Sequence, residues 1–339
     1  MIKLLSKDNI FKLFKTTKFR FLLVLFAAIL VLPLVIQNNF LIHVLTLIAL
    51  FAIYASSWNL LATSGQGSLG HAAFLGIGGF TSSLLAIQPL NVPPIIGIFV
   101  GAFLSAGIGF LIGLTCVRLK AWFLAMVTFG FSVIVETLIS HFDDFTHGTL
   151  GFRPPILVPS GLPFYYLAVF FAALTTVSII FIMRSKIGLA FKAIHQNQFE
   201  AQMIGINTAK YKLYAFILST FIAGLAGGLY AHYIRYIRVS IFSASNSFDP
   251  LMMSVIGGLG SIEGPIIGSI ILVSIDSFLP QIDQFLPIIH GVLVGPYIRF
   301  LGLGVFLVII VIFFPKGVTS LLRKAINYLR TDTKKGVQK

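Results

Sequence analysis

Four carboxylates sit inside otherwise apolar stretches of this sequence: Glu136, Asp249, Glu263 and Asp276. A charge at membrane depth is costly, so each is a candidate for relaying a proton or an ion. A plainer reading stands beside this one, because Glu136, Glu263 and Asp276 fall near the ends of apolar runs or in irregular stretches, where water or a partner group reaches them. His43, His71, His232 and His290 are scattered without a zinc-binding spacing such as His-Glu-x-x-His. The single cysteine, Cys116, excludes an internal disulfide and a cysteine-rich metal site. No nucleophile–base pair can be assembled, so no catalytic residue, metal ligand or cofactor is expected.

Energy coupling by this chain alone is excluded on similar grounds. A phosphate-binding loop needs Gly-x-x-x-x-Gly-Lys-Ser/Thr, and no Gly-Lys dipeptide occurs. Thr63-Ser64-Gly65-Gln66-Gly67 only superficially matches the Ser-Gly-Gly-Gln signature of transport ATPases, since apolar runs flank it on both sides.

Two glycine-rich stretches are too polar for ordinary lipid-facing helix. One runs through Gly65, Gln66, Gly67, Ser68, Gly70 and His71; the other holds Gly257, Gly258, Gly260 and Ser261, followed by Glu263, Gly264 and Pro265. Small residues let helix backbones approach closely, which is one reading. The other is unwound backbone lining a path through the membrane, and these ten residues are the candidates for it. The two stretches share a Gly-Ser step, which hints at an internal repeat.

The elements that hold these groups follow from composition. The 339 residues are 57% hydrophobic and 10% charged, with 34 Phe, against about 25% charged residues in an ordinary soluble domain. An all-α polytopic integral membrane protein is expected. A span needs about 20 apolar residues, and such runs lie near 20–36, 41–62, 71–89, 95–117, 121–140, 163–183 and 211–233. The first has a basic start and no small-residue cleavage site, so it reads as an uncleaved anchor. Beyond it, segments 249–262, 264–279, 284–298 and 300–315 are interrupted by Gly or Pro. With four crossings from 211 onward the total is about ten transmembrane helices, with Gly-rich broken or re-entrant segments.

The net charge of +14 would suggest nucleic acid in a soluble protein. Here most Lys and Arg fall in 1–20, 118–120, 184–212 and 316–339, and the positive-inside rule assigns all four segments, with both termini, to the cytoplasm. Nucleic acid is unnecessary; membrane lipid headgroups are the anionic neighbours. The loop at 141–162, with Asp143, Asp144, Pro154, Pro155 and Pro159, is then external and is expected to form an ordered, non-helical cap or short turns.

Within 184–212, Ile187, Phe191 and Ile194 share one helix face, and a short helix through Phe199, Glu200, Ala201, Met203 and Ile204 can end at Gly205. Apolar residues on a cytoplasmic helix ask for a protein partner or for the headgroup interface.

These segments, with Arg118 to Thr128, Tyr211-Lys212-Leu213, Ala223 to Ala231 and Pro315-Lys316-Gly317, closely resemble the LivM-type permease subunits of branched-chain amino acid ABC importers. The likeness covers roughly 41–318. It implies three parts: a basic region and anchor at 1–40, a permease domain at 41–318 and a basic cytoplasmic tail at 319–339. It further implies a bacterial inner-membrane subunit that pairs with a second homologous permease, binds two cytosolic ATPase subunits and receives branched-chain amino acids from an extracytoplasmic binding protein. The helix of Phe199, Glu200, Ala201, Met203, Ile204 and Gly205 would be the ATPase-coupling helix. The loop Thr146 to Arg153 departs from the family's Thr-Gly-Gly-rich pattern, which bears on substrate. The alternatives are urea or short amides as substrate, or an ion-coupled secondary transporter using Glu136 or Asp276.

The charge pattern predicts a topology. In a Cys116-free background, single cysteines in 184–212 or 316–339 should react with an impermeant thiol reagent only after permeabilisation, and those in 141–162 in intact cells. External labelling within 184–212 contradicts the assignment.

Overall fold

The computed structural model describes residues 38–282 except 88, 117, 118, 120, 143–149 and 160, together with 33, 288, 289, 292, 293, 302, 304, 305, 308, 312, 313 and 317–320. Nearly all of the expected anchor at 20–36, most of 284–298 and 300–315, the tail beyond 320, and Arg118, Lys120, Asp143 and Asp144 lie outside the described residues.

The chain folds into helices α1 (Asn39–Ala62), α2 (His71–Ala86), α3 (Pro94–Cys116), α4 (Ala121–His141), α5 (Leu162–Arg184), α6 (Lys186–Gln196), α7 (Gln198–Met203), α8 (Thr208–Ile234), α9 (Ala244–Gly257) and α10 (Gly264–Ile282). Local chemistry sets their ends. Asn38 Oδ1 accepts the Phe40 amide at 2.9 Å to start α1, Pro94 opens α3, and Arg235 closes α8 in the left-handed region at φ 58°. Among the described residues, α1, α3, α4, α5 and α8 are long and apolar enough to cross a membrane, as a polytopic membrane protein requires.

Two apolar runs fold shorter than their length suggested. The 71–89 run gives the 16-residue α2, about 24 Å long, which stops at Ala86 because Ile87 turns to extended backbone with ψ 163°. The 249–262 run gives most of the 14-residue α9, about 21 Å, less than the ~30 Å hydrocarbon thickness. Before α9 comes a 3-10 turn, Val239–Phe242, and Ile237 pairs with Phe152 through two 3.0 Å backbone bonds. Inside 284–298, read as a crossing, the described residues form two short antiparallel strands, β1 (Ile288–Ile289) and β2 (Val292–Leu293). Pro287, His290 and Gly291 in this stretch are poor helix formers.

The central packing unit is α2, α3 and α8. Their contact runs through glycines. A methyl group at Gly101 would lie 2.5 Å from the Gly78 carbonyl, and one at Gly224 would lie 2.5 Å from Ser105 Oγ and 3.0 Å from Ala102 Cα. One at Gly227 would overlap the Leu75 carbonyl. Lipid tails are as apolar as leucine, so such close approach supplies the dispersion energy that a hydrophobic driving force cannot. Ser105 Oγ adds a 3.0 Å bond to the Phe74 carbonyl. Helix α1 packs across α8, α5, α9 and α10, while α4 presents Trp122, Met126, Ile134 and Leu138 outward.

The glycine contacts predict unequal tolerance. Gly227→Leu forces α8 from α2, and overpacking of this kind costs about 1–3 kcal/mol or more; purified protein should lose its monodisperse elution peak. Gly107→Leu on α3 meets open space and should elute like the parent. Equal behaviour of the two would refute the packing account.

Candidate functional site

Both glycine-rich segments hang on two consecutive side chains of α1. Trp58 Nε1 donates to the Ser68 carbonyl at 2.7 Å. Asn59 Nδ2 donates to the Ser261 carbonyl at 2.8 Å, and its Oδ1 accepts the Gly260 amide at 2.9 Å. Successive helical positions point about 100° apart, so one helix reaches two loops on different sides. Unwound backbone is tolerable at membrane depth only when protein satisfies it. In 63–70 this is done by Trp58, by Thr128 Oγ1, which accepts the Leu69 amide at 3.2 Å, and by the Ser64 and Gly65 amides turning back to Leu61 and Ala62.

The ten path candidates fall into different surroundings. Gln66, Ser68 and His71 are buried, and Gln66 Oε1, Ser68 Oγ and His71 Nδ1 have no hydrogen-bond partner among the described residues. Gly67 adjoins open space, whereas a methyl group at Gly65 would lie 3.4 Å from His195 Cα. Gly70 and Gly257 are packing contacts: a methyl group there would overlap the Thr128 and Gly264 carbonyls. Gly258 is likewise pressed against Gly317, while Gly260 and Ser261 form the turn held by Asn59.

Above the first segment lies a buried polar tie. Ser57 Oγ gives its only proton to the Tyr54 carbonyl at 2.6 Å, so the 2.9 Å contact with His71 Nε2 is a bond donated by the ring. Ser219 Oγ donates to the Ser57 carbonyl at 2.7 Å, which joins α1, α2 and α8. At the other end of α8, His232 Nδ1 donates to the Pro155 carbonyl at 2.9 Å, while Nε2 of the neutral ring takes the Ser82 hydroxyl at 2.9 Å. Tyr236 donates to the Leu150 carbonyl at 2.7 Å. Residues 151–159 are thereby held as an ordered, non-helical cap, as the prolines suggested.

Between α1, α2, α8 and the start of α9 is a cleft lined by Leu50, Phe51, Tyr54, Leu75, Tyr230 and Asn246, among others. Tyr54 bridges it by donating to the Asn246 carbonyl at 3.0 Å. Asp249, one turn along α9, is within electrostatic reach of Tyr54, Tyr230 and Asp276. Glu136 stands on α4 and Glu263 in the turn before α10. None of the ten path candidates lines the cleft. Sequence reading missed its tyrosines because aromatic residues within an apolar run look like ordinary core.

The segment joining α5 to α8 has two faces. Phe191 and Ile194 are buried and Ile187 half-buried, so the apolar stripe of α6 points into the bundle instead of outward. The unpartnered apolar surface belongs to α7: Phe199 is 79% exposed, Met203 90% and Ile204 74%. Ala201 is buried beneath them and Glu200 is exposed. Asn197 Oδ1 caps α7 by accepting the Phe199 and Glu200 amides, and its Nδ2 donates to Glu200 Oε1 at 2.7 Å. At the far end Gly205, at φ 85°, donates to the Gln202 carbonyl and Ile206 to the Ala201 carbonyl, which is a Schellman closure.

Comparison with known proteins fits this architecture. Residues 40–313 match the family model described as branched-chain amino acid transport system / permease component. The high-affinity branched-chain amino acid transport system permease protein LivM of Escherichia coli K12 is 25% identical over 332 residues, covering 88% of this chain and 74% of that protein. Its Salmonella typhimurium counterpart is 26% identical over 309 residues, covering 81% and 68%. The probable branched-chain amino acid transport permease protein LivH of Methanocaldococcus jannaschii shares 34% identity over 96 residues, covering 26% and 28%. No solved structure matches significantly. With the family model spanning most of the sequence, this chain belongs to the permease components of branched-chain amino acid transport systems.

Proposed function

We propose that this chain is the transmembrane permease subunit of an ATP-driven importer of branched-chain, apolar amino acids, working by alternating access in a bacterial cytoplasmic membrane. The observation that carries the reading is the exposed apolar surface of α7, Phe199, Met203 and Ile204, on a chain of this family. Three large apolar side chains beside polar surface mark a protein-binding site. Its occupant in this reading is one of two cytosolic ATPase subunits, with a second homologous permease and an extracytoplasmic binding protein completing the importer.

In this reading both termini are cytoplasmic, 41–318 is the permease domain and about ten spans are formed. The path runs past Gln66, Ser68, His71 and the second glycine-rich turn toward the cleft of Tyr54 and Tyr230. A permease served by a binding protein needs only a weak site, since tight binding would retain the substrate. The cleft's lining is apolar and aromatic, with Asp249 near it.

Docking is tested on the most exposed residue. Met203→Asp should leave the permease inserted but lower the co-purifying ATPase about tenfold, the effect of roughly 1.4 kcal/mol. Unchanged co-purification rejects the docking role. Substrate is tested in proteoliposomes holding the full complex and its cognate binding protein: ATP should drive leucine, isoleucine or valine uptake that unlabelled amino acid suppresses. Uptake of urea or a short amide with leucine ignored overturns the substrate while leaving the transporter class intact.

A further inference from the structure

Lys212 stands where a lysine is least expected. It is buried, in the second turn of α8. Its ammonium meets a neutral acceptor: Nζ donates to Gln198 Oε1 at 2.6 Å. Gln198 is the first residue of α7, the helix that carries the exposed apolar surface. From the other side, the Lys212 carbonyl accepts Gln66 Nε2 at 2.9 Å, and the same amide group donates to Ser64 Oγ at 3.0 Å. Helix α7 is thus joined by consecutive hydrogen bonds, through one residue of α8, to the unwound segment 63–70. A second contact runs parallel to the first, because Gly65 abuts the backbone of His195 at the end of α6.

At the far end of this link Gln66 is itself buried, and the segment it belongs to is unwound backbone with no helical ladder of its own.

We propose that Lys212 is the positioning residue that transmits movement of α7 to the glycine-rich segment 63–70, with Gln198 and Gln66 as its two contacts. This rests on the reading of α7 as the ATPase-docking helix. Displacing α7 shifts Gln198, and the 2.6 Å charge-assisted bond draws the Lys212 ammonium with it. The start of α8 moves with it and carries the carbonyl that holds Gln66. Apolar contacts along α7 set whether the ATPase binds, whereas Lys212 sets whether binding is felt in the membrane.

The test uses the full complex, reconstituted with its binding protein, and compares Gln198→Leu, Lys212→Met and Lys212→Arg. Gln198 is only half-buried, so Gln198→Leu guards against a folding defect in Lys212→Met. ATPase should co-purify at the parental ratio in all three, and hydrolysis without binding protein should persist. In Gln198→Leu and Lys212→Met, amino acid uptake should fall at least tenfold and stimulation of hydrolysis by loaded binding protein should vanish, while Lys212→Arg, which keeps a charged donor, should recover at least half of both. Uptake within twofold of the parent in Gln198→Leu overturns the proposal, and so does loss of the ATPase from that variant, which would make the residue a docking contact. Absence of ATPase from the parental complex would instead remove the docking reading itself.

Discussion

Contact between glycine backbones on α2, α3 and α8 is the constraint from which the rest of the structure follows. Helices in lipid gain little from burying apolar side chains, so their association depends on how closely their surfaces fit. Gly78 against Gly101 and Gly224, with Gly227 against Leu75, brings three helices together with no side chain between them. This fixes where α2 begins, and hence where His71 and the unwound 63–70 lie relative to α1 and α8. It also fixes the wall of the cleft, since Leu75 and Tyr230 belong to α2 and α8.

Polar groups complete what the glycines begin. Most buried serines and threonines donate to a carbonyl of their own helix or a neighbour: Thr46 to Ile42, Ser254 to Pro250, Ser132 to Phe242. Hydroxyls of this kind cost little inside a bundle because each carries its own partner. The segments that lack helical partners draw on longer side chains, and α1 supplies two of them in succession at Trp58 and Asn59. One rigid helix therefore couples the positions of two irregular loops far apart in sequence.

Much of this was legible in the sequence because the membrane simplifies the signal. Runs such as 41–62, 95–117 and 163–183 became helices within about two residues of the expected ends, since an apolar run in lipid has no alternative to helix. What was not legible depended on neighbours. The stripe of Ile187, Phe191 and Ile194 is consistent with an outward or an inward face, and only the position of α6 beneath α5 and α8 selects inward. That Gly70 and Gly257 press against the Thr128 and Gly264 carbonyls is likewise visible only in the folded chain. Lys212 reads in the sequence as one more basic residue of a charged segment; its burial and its acceptor at Gln198 exist only once α7 and α8 fold together. That Ala201 points inward while Phe199, Met203 and Ile204 point outward required the turn geometry.

The two caps of α7 have a consequence for any molecule that binds it. A helix of six residues is far too short to persist by its own hydrogen bonds. Asn197 at one end and Gly205 at the other hold it closed without outside help, and Ala201 pins it to the body of the protein. Its three exposed side chains are consequently presented in a fixed geometry before any encounter. A partner then loses little affinity to ordering entropy on this side of the interface. The pace of association is then set by collision and orientation, with no folding step to wait for.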